Sequence, residues 1–114
     1  MNNHNFYIQQ SHFFIDDFLL INAPSIIEKF LIVDDIIILL LSSTDLESDR
    51  NIYCFDFQGN LIWIISEVTK LHDKNYFTNI YINKNDELMA YNLNGIEVTI
   101  DKEKGLIINA ELIK

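Results

Sequence analysis

The chain has 114 residues and a formal net charge of −9. Residues 1–69 hold ten acidic and two basic residues, whereas residues 70–114 hold seven acidic and six basic residues. Such charge argues against direct contact with nucleic acid or anionic lipid, which are bound through clusters of Lys and Arg, and it favours a basic partner. The longest apolar run, residues 36–41, is too short to cross a bilayer as a helix.

Short runs of β-branched and aromatic residues, separated by Asp, Asn, Ser and Gly, predict an all-β protein that forms a single domain over 1–114. In chain order, strands are predicted near residues 5–9, 12–15, 18–22, 28–33, 36–41, 51–57, 61–66, 77–83, 87–91, 95–100 and 106–113. Ser25 opens a Ser-x-x-Glu capping box that could start a helix instead. The solid apolar block 30–33 favours a hairpin there, and residues 67–72 could hold a single helical turn.

One phrase recurs along the chain: a strand that ends in Asp or Asn, a turn that contains Gly, and an apolar strand that returns. It is clearest over residues 52–64 and fainter over 89–98 and 98–108. A tight hairpin needs a residue with positive φ where the chain reverses, and Gly or Asn adopts that conformation with little strain. The phrase therefore predicts an antiparallel meander, folded as a twisted sheet or a sandwich.

The pattern of apolar side chains separates a covered region from an exposed one. Residues 51–57 carry aromatic side chains on one face and Ile52 and Cys54 on the other, so we expect residues 30–65 to be covered on both faces. In residues 95–100 apolar and polar side chains alternate, which is typical of a sheet with one wet face. The predicted core consists of Phe55, Phe57, Leu61, Trp63, Ile38 and Leu40.

Residues 55–63 read Phe-Asp-Phe-Gln-Gly-Asn-Leu-Ile-Trp. This run resembles the inner hairpin of a blade in quinoprotein-type β-propellers, where a strand, an Asp, a Gly turn and a Trp on the next strand recur. A closed propeller needs four or more four-stranded blades, whereas this chain can supply about two. The resemblance implies blade-like hairpins and no quinone site.

The chain combines an apolar N-terminal hairpin, the run 56–63, the run Tyr-Asn-Leu-Asn-Gly at 91–95 and a final hairpin with Asp-x-x-x-Gly spacing. In this layout residues 30–114 resemble the small acidic all-β immunity proteins of bacterial polymorphic toxin systems, including contact-dependent growth inhibition. Those proteins share no catalytic residues, so none is carried over. The resemblance implies a scaffold that binds one cognate toxin domain and blocks its active or docking site.

The sequence predicts no catalytic residues, no metal and no cofactor. Residues 45–56 space oxygen ligands as a calcium loop does, but Arg50 stands where the loop needs a sharp turn, normally Gly. His4, His12 and His72 lie in separate segments without the spacing of zinc ligands. Cys54 is predicted to face the apolar interior, where a thiol is inert.

The first 17 residues and the cysteine content favour the cytoplasm. Residues 1–5 lack a basic cluster, and Asp16 and Asp17 interrupt the apolar stretch that follows, so an export signal is not expected. Cys54 is the only cysteine, which excludes an intramolecular disulfide and fits a reducing compartment.

Successive turns of a meander fall at alternating ends, so the turns at 34–35 and 58–60 should share one end, with 42–50, 67–76 and 92–94 at the other. Binding residues concentrate on loops held by a rigid scaffold, and carboxylates steer a basic partner. The predicted toxin-binding residues are Asp45, Glu47, Asp49, Glu67 and Asp73, with Tyr76 as an aromatic anchor.

An alternative function is a β-rich interaction or ligand-binding module that oligomerises through its sheet edges. The terminal strand at 106–113 carries little edge protection beyond Glu111 and Lys114. Pairing through this edge would produce a homodimer.

Overall fold

The computed structural model describes residues 4–67 and 73–113. Eleven strands run through these residues, each within two residues of its predicted bounds, and the predicted all-β class is confirmed. The strands are β1 (Phe6–Gln9), β2 (His12–Ile15), β3 (Phe18–Asn22), β4 (Ile27–Val33), β5 (Ile36–Leu41), β6 (Ile52–Asp56), β7 (Leu61–Ile64), β8 (Phe77–Ile82), β9 (Leu88–Asn92), β10 (Ile96–Ile100) and β11 (Ile107–Leu112).

The strands form three antiparallel sheets in which each strand pairs with the next along the chain. The N-terminal sheet has the order β1-β2-β3, the middle sheet β4-β5-β6-β7 and the C-terminal sheet β11-β10-β9-β8. A four-stranded up-and-down meander is the unit of a propeller blade. The predicted meander with blade-like hairpins is thus confirmed, as two four-stranded sheets and one three-stranded sheet.

The middle sheet is buried on both faces, as its two-sided apolar pattern predicts. Ile38 and Cys54 belong to a cluster shared with Ile80 and Val98 of the C-terminal sheet. The neighbouring Ile37, which points the opposite way, belongs to a second cluster shared with the N-terminal sheet. Full burial of such a side chain stabilises the fold by about 1.5–3 kcal/mol. The two clusters together fix the middle sheet between the other two.

A shared hydrogen-bonding pattern underlies the recurring phrase at 52–64 and 89–98, whereas at 98–108 the Asp101 carboxylate accepts only the Glu103 N–H and Gly105 follows one residue later. At the β6–β7 turn, the Asp56 side chain accepts the backbone N–H groups of Gln58 and Asn60, both at 2.9 Å. Gly59 has a φ of +86°, a conformation that residues with a Cβ adopt only with strain. The side chain satisfies two amides of the turn, and the glycine lets the chain reverse.

Asn83 and Asn92 build the same turn with an amide in place of the carboxylate. In each, Oδ1 accepts the N–H groups two and four residues further along the chain. Gly95 has positive φ after Asn92, and Asp86 takes that position after Asn83. The turn at 83–87 is therefore a further copy of the pattern, which the sequence phrase missed because Asp86 stands where glycine was expected.

The structure confirms Trp63 as a core residue but not Leu61. Trp63 lies opposite Cys54 and Leu61 lies opposite Phe55, so the ladder shifts at Ile62. Such a bulge reverses the side-chain alternation, because one extra residue separates the two pairs. Leu61 is consequently 50% exposed, whereas Trp63 is buried. The prediction of Leu61 in the core was wrong for this reason.

Trp63 ties the middle sheet to the β10–β11 turn. Its indole Nε1–H donates a hydrogen bond to the Lys102 carbonyl at 2.8 Å. The ring also packs so closely on Gly105 that a Cβ added there would lie 2.5 Å from Trp63 Cε3. A glycine is required at this position both by the contact and by its φ of +72°.

The helix alternative at Ser25 is not adopted. The Ser25 hydroxyl donates to the Ser42 carbonyl at 2.6 Å, and the Ile27 backbone N–H donates to the Gln10 carbonyl as β4 begins. Most of the suggested helical turn at 67–72 lies outside the described residues. Across 4–67 and 73–113, no helix is long and apolar enough to cross a membrane.

Candidate partner-binding cleft

A cleft of about 540 Å³ opens at the end of the middle sheet that carries the long β5–β6 and β7–β8 connections. Three segments form it, 43–50, 66–67 and 73–77. Its lining residues are Ser43, Thr44, Leu46, Glu47, Ser48, Asp49, Arg50, Ser66, Glu67, Asp73, Lys74, Asn75, Tyr76 and Phe77. The described parts of two predicted binding loops therefore meet in one concave site.

Asn51, which is completely buried, fixes the base of the cleft. Its Nδ2 donates to the Leu41 carbonyl at 2.8 Å and to the Phe77 carbonyl at 2.9 Å, and its Oδ1 accepts the Phe77 N–H at 2.8 Å. One side chain thus joins the end of β5 to the start of β8. Because buried polar groups are costly to leave unpaired, these hydrogen bonds hold the two walls in register.

Asp49 and Arg50 hold the walls of the cleft together. The Asp49 carboxylate accepts the Asn75 N–H at 2.7 Å. The Arg50 guanidinium donates to the Ile65 carbonyl at 2.7 Å and to the Ile64 carbonyl at 3.3 Å. Hydrogen bonds to charged groups are among the stronger ones in proteins. Both residues therefore have structural roles that their position in the sequence did not indicate.

The β9–β10 turn reaches the same end of the molecule. Asn94 Nδ2 donates to the Lys74 carbonyl at 2.7 Å, next to the cleft wall. At the opposite end, Ile36 pairs with Asp56, which brings the turns at 34–35 and 57–60 side by side. The predicted grouping of turns is confirmed for the described residues.

Five of the six predicted binding residues line the cleft. Glu47, Glu67 and Asp73 are exposed, while Asp49 and Tyr76 are half-buried. Asp45, which is also exposed, is not part of the lining. The four carboxylates outnumber the two cations, Arg50 and Lys74, so the cleft carries excess negative charge.

Sequence reasoning missed the cations and the uncharged lining. Arg50 is the only arginine of the chain, but its partners, the carbonyls of Ile64 and Ile65, lie 14 and 15 residues away. Asn51 and Asn75, both buried, had no local signal either, because their partners lie elsewhere in the sequence.

The cysteine thiol lies in the core, away from the cleft. Cys54 is fully buried, as predicted. Desolvation, together with the charges of Asp35 and Asp56, raises its pKa to about 12, so the thiol is protonated at neutral pH. In the part of the chain that the structure describes, no three His, Cys, Asp or Glu side chains converge as metal ligands.

The chain belongs to the family described as Domain of unknown function (DUF7957), whose model matches residues 4–112. The match includes all eleven described strands and every lining residue of the cleft. No curated protein matches the sequence.

Proposed function

We propose that this protein is an immunity-type inhibitor that binds a cognate bacterial toxin domain at the acidic cleft and blocks its active or docking site. The observation that carries the proposal is the convergence of four carboxylates and Tyr76 in one cleft with fixed walls. A site that is formed before binding loses less conformational entropy when the partner docks. The proposed action is inhibition by binding, in the cytoplasm, without catalysis.

The charges of the cleft support a basic partner. Glu47, Glu67 and Asp73 are exposed, whereas Asp49 and Arg50 make the wall contacts described above. Exposed carboxylates around a docking site accelerate encounter with a positively charged protein, and the acceleration weakens as salt is added. Tyr76 supplies a half-buried aromatic surface of the kind that anchors interfaces.

A test of the proposal begins with the toxin domain encoded beside the gene. Coexpression should protect cells from that toxin and not from an unrelated one, which calls for nanomolar or tighter binding. The cleft is then neutralised in a triple variant, Glu47→Gln, Glu67→Gln and Asp73→Asn. We expect about tenfold slower association with the toxin domain in stopped-flow measurements, with a weaker salt dependence. Asp49 stays intact because it holds Asn75.

The matched control removes the same number of charges outside the cleft, through Asp34→Asn, Asp35→Asn and Asp86→Asn, all at exposed residues absent from the lining. We expect this control to associate nearly as fast as the wild type. Equal slowing of both variants would show that net charge acts without this cleft and would reject the proposed site. Failure to protect cells from the adjacent toxin would reject the immunity function itself.

A further inference from the structure

The last strand, β11, is an unpaired edge with exposed apolar side chains. It occupies the end of the order β11-β10-β9-β8, so one side of its backbone has no neighbouring strand in the described sheet. Ile108 is 63% exposed and Leu112 is 67% exposed. Glu111 is the only charged residue within the strand. Natural edge strands are usually protected by charges, proline, a β-bulge or a covering element, because they pair readily with another strand. β11 has a bulge at Ile108, and residues 109–112 beyond it pair regularly with β10.

The apolar side chains of β11 extend the core face of the C-terminal sheet. Ala110 lies directly opposite Val98, and Leu112 lies opposite Ile96. Residues opposite each other in an antiparallel ladder share a face. Val98 is fully buried against the middle sheet and Ile96 packs against the same cluster, yet Ala110 and Leu112 are exposed. The inter-sheet core therefore continues onto a strip that the middle sheet does not cover.

We propose that β11 pairs antiparallel with β11 of a second copy of this chain, about a two-fold axis at Ala110. The two four-stranded C-terminal sheets then become one continuous sheet. Asn109 meets Glu111 of the second copy on either side of the axis, and the regular pairing ends at Ile108, the extra residue of the bulge in the β10–β11 ladder. Such an interface is isologous, with the same strand contributed by both subunits. The inference does not depend on the proposed immunity function, because β11 contributes no residue to the cleft lining.

The register follows from the alternation of side chains over residues 109–112, where β11 is regular. A two-fold axis perpendicular to the sheet keeps each side chain on its own face, and directly opposite residues must share a face. The residue at the axis therefore lies opposite its own copy in the second subunit. An axis at Glu111 would place two glutamates directly opposite each other, which is destabilising. An axis at Ala110 places a small side chain at the centre and pairs Glu111 with the neutral Asn109.

The distribution of charge favours a second copy at this edge. Residues 70–114 hold seven acidic and six basic residues, whereas residues 1–69 hold ten and two. Two copies that meet through their C-terminal sheets bring together the regions in which acidic and basic residues nearly balance, and the strongly acidic parts remain apart. Repulsion between two chains of charge −9 is therefore smallest in this arrangement.

Sedimentation over a range of protein concentrations tests the proposal, with Asn109 as the probe. Asn109→Lys places a cation opposite Glu111 of the second copy and should tighten the dimer about threefold. Asn109→Glu places like charges opposite each other twice and should weaken it by a similar factor. Both effects should shrink at high salt, because the pairs are exposed. Asn109 is exposed, so neither variant disturbs the core.

The control uses Asn22, an exposed residue on the edge strand β3 of the N-terminal sheet. Asn22→Lys and Asn22→Glu change the net charge equally and should leave the dimer constant unchanged. A monomer at every concentration would overturn the proposal. So would a dimer that responds equally to the Asn22 and Asn109 variants, or to neither.

Discussion

The middle and C-terminal sheets have the same topology, but they differ in how much of their surface is covered. In the middle sheet, consecutive residues such as Ile37 and Ile38 are fully buried in two different clusters. In the C-terminal sheet only one face packs on a core, and the strip formed by Ala110 and Leu112 on that same face is exposed. Local turn chemistry thus produces equivalent meanders, and the apolar pattern of each decides its layer.

The two sheets also differ in how they use their polar groups. The turn at Asp56 in the middle sheet has a carboxylate where the turns at Asn83 and Asn92 in the C-terminal sheet have an amide. Geometry is the same in all three, because each side-chain oxygen accepts the same two backbone amides. The carboxylate adds a dependence on pH that the amides lack.

The largest expected effect concerns the contact that joins the two sheets. Trp63→Ala removes the indole packed on Gly105 and leaves the Lys102 carbonyl without its donor. We expect a loss of about 3–5 kcal/mol in the free energy of unfolding, measured by urea denaturation and circular dichroism. Leu61→Ala, on the same strand and half exposed, should lose less than about 1 kcal/mol. Similar losses for both would contradict the bulge at Ile62.

A second, somewhat smaller loss of stability is expected when a side chain is truncated on the face of the middle sheet that packs on the N-terminal sheet. Leu39 is fully buried in the cluster shared with the N-terminal sheet. We expect Leu39→Ala to lower the unfolding free energy by about 2–5 kcal/mol. The control Leu106→Ala, next to β11 and about half exposed, should change it by less than about 1 kcal/mol. If both variants unfold at the same urea concentration, the N-terminal sheet does not cover the middle sheet.

The smallest expected effect is a dependence of stability on pH that comes from the carboxylate turn at Asp56 and not from the amide turns at Asn83 and Asn92. Hydrogen bonds from the Asn60 backbone, with further ones from the Asn60 side chain, Gln58 and Gly59, lower the pKa of Asp56 below its usual value. A depressed folded-state pKa adds stability above the ordinary carboxyl pKa, and this stability disappears as pH falls through the folded-state value. We therefore expect the wild type to exceed Asp56→Asn in melting temperature near neutral pH.

The difference in melting temperature between the wild type and Asp56→Asn should disappear as the pH is lowered from about 7 to about 2. Asp56→Asn is a conservative change, since Asn83 and Asn92 already form this turn. The matched variant Asp34→Asn removes one carboxylate from the β4–β5 turn, where Asp34 itself has positive φ. A gap between wild type and Asp56→Asn that stays constant with pH would mean that the charge of Asp56 does not stabilise the turn.

The positions of the strands could be predicted because they depend on local chemistry. Asp and Asn can close a turn with their own side chains, and their neighbours supply positive φ, so each reversal is recognisable within about five residues. The central position of residues 36–41 could also be predicted, since a strand that is apolar on both faces must be covered on both. The loops of the cleft followed from counting the turns.

Features that depend on residues distant in the sequence are visible only in the tertiary structure. Leu61 is exposed because its ladder with β6 shifts at Ile62, and Asp49 is tied to Asn75, 26 residues away. The free strip on β11 exists because the middle sheet ends before it. Turn residues act through their neighbours, so the eleven strands could be located along the chain from the sequence. Register shifts, wall contacts and the extent of coverage arise only when separate sheets meet.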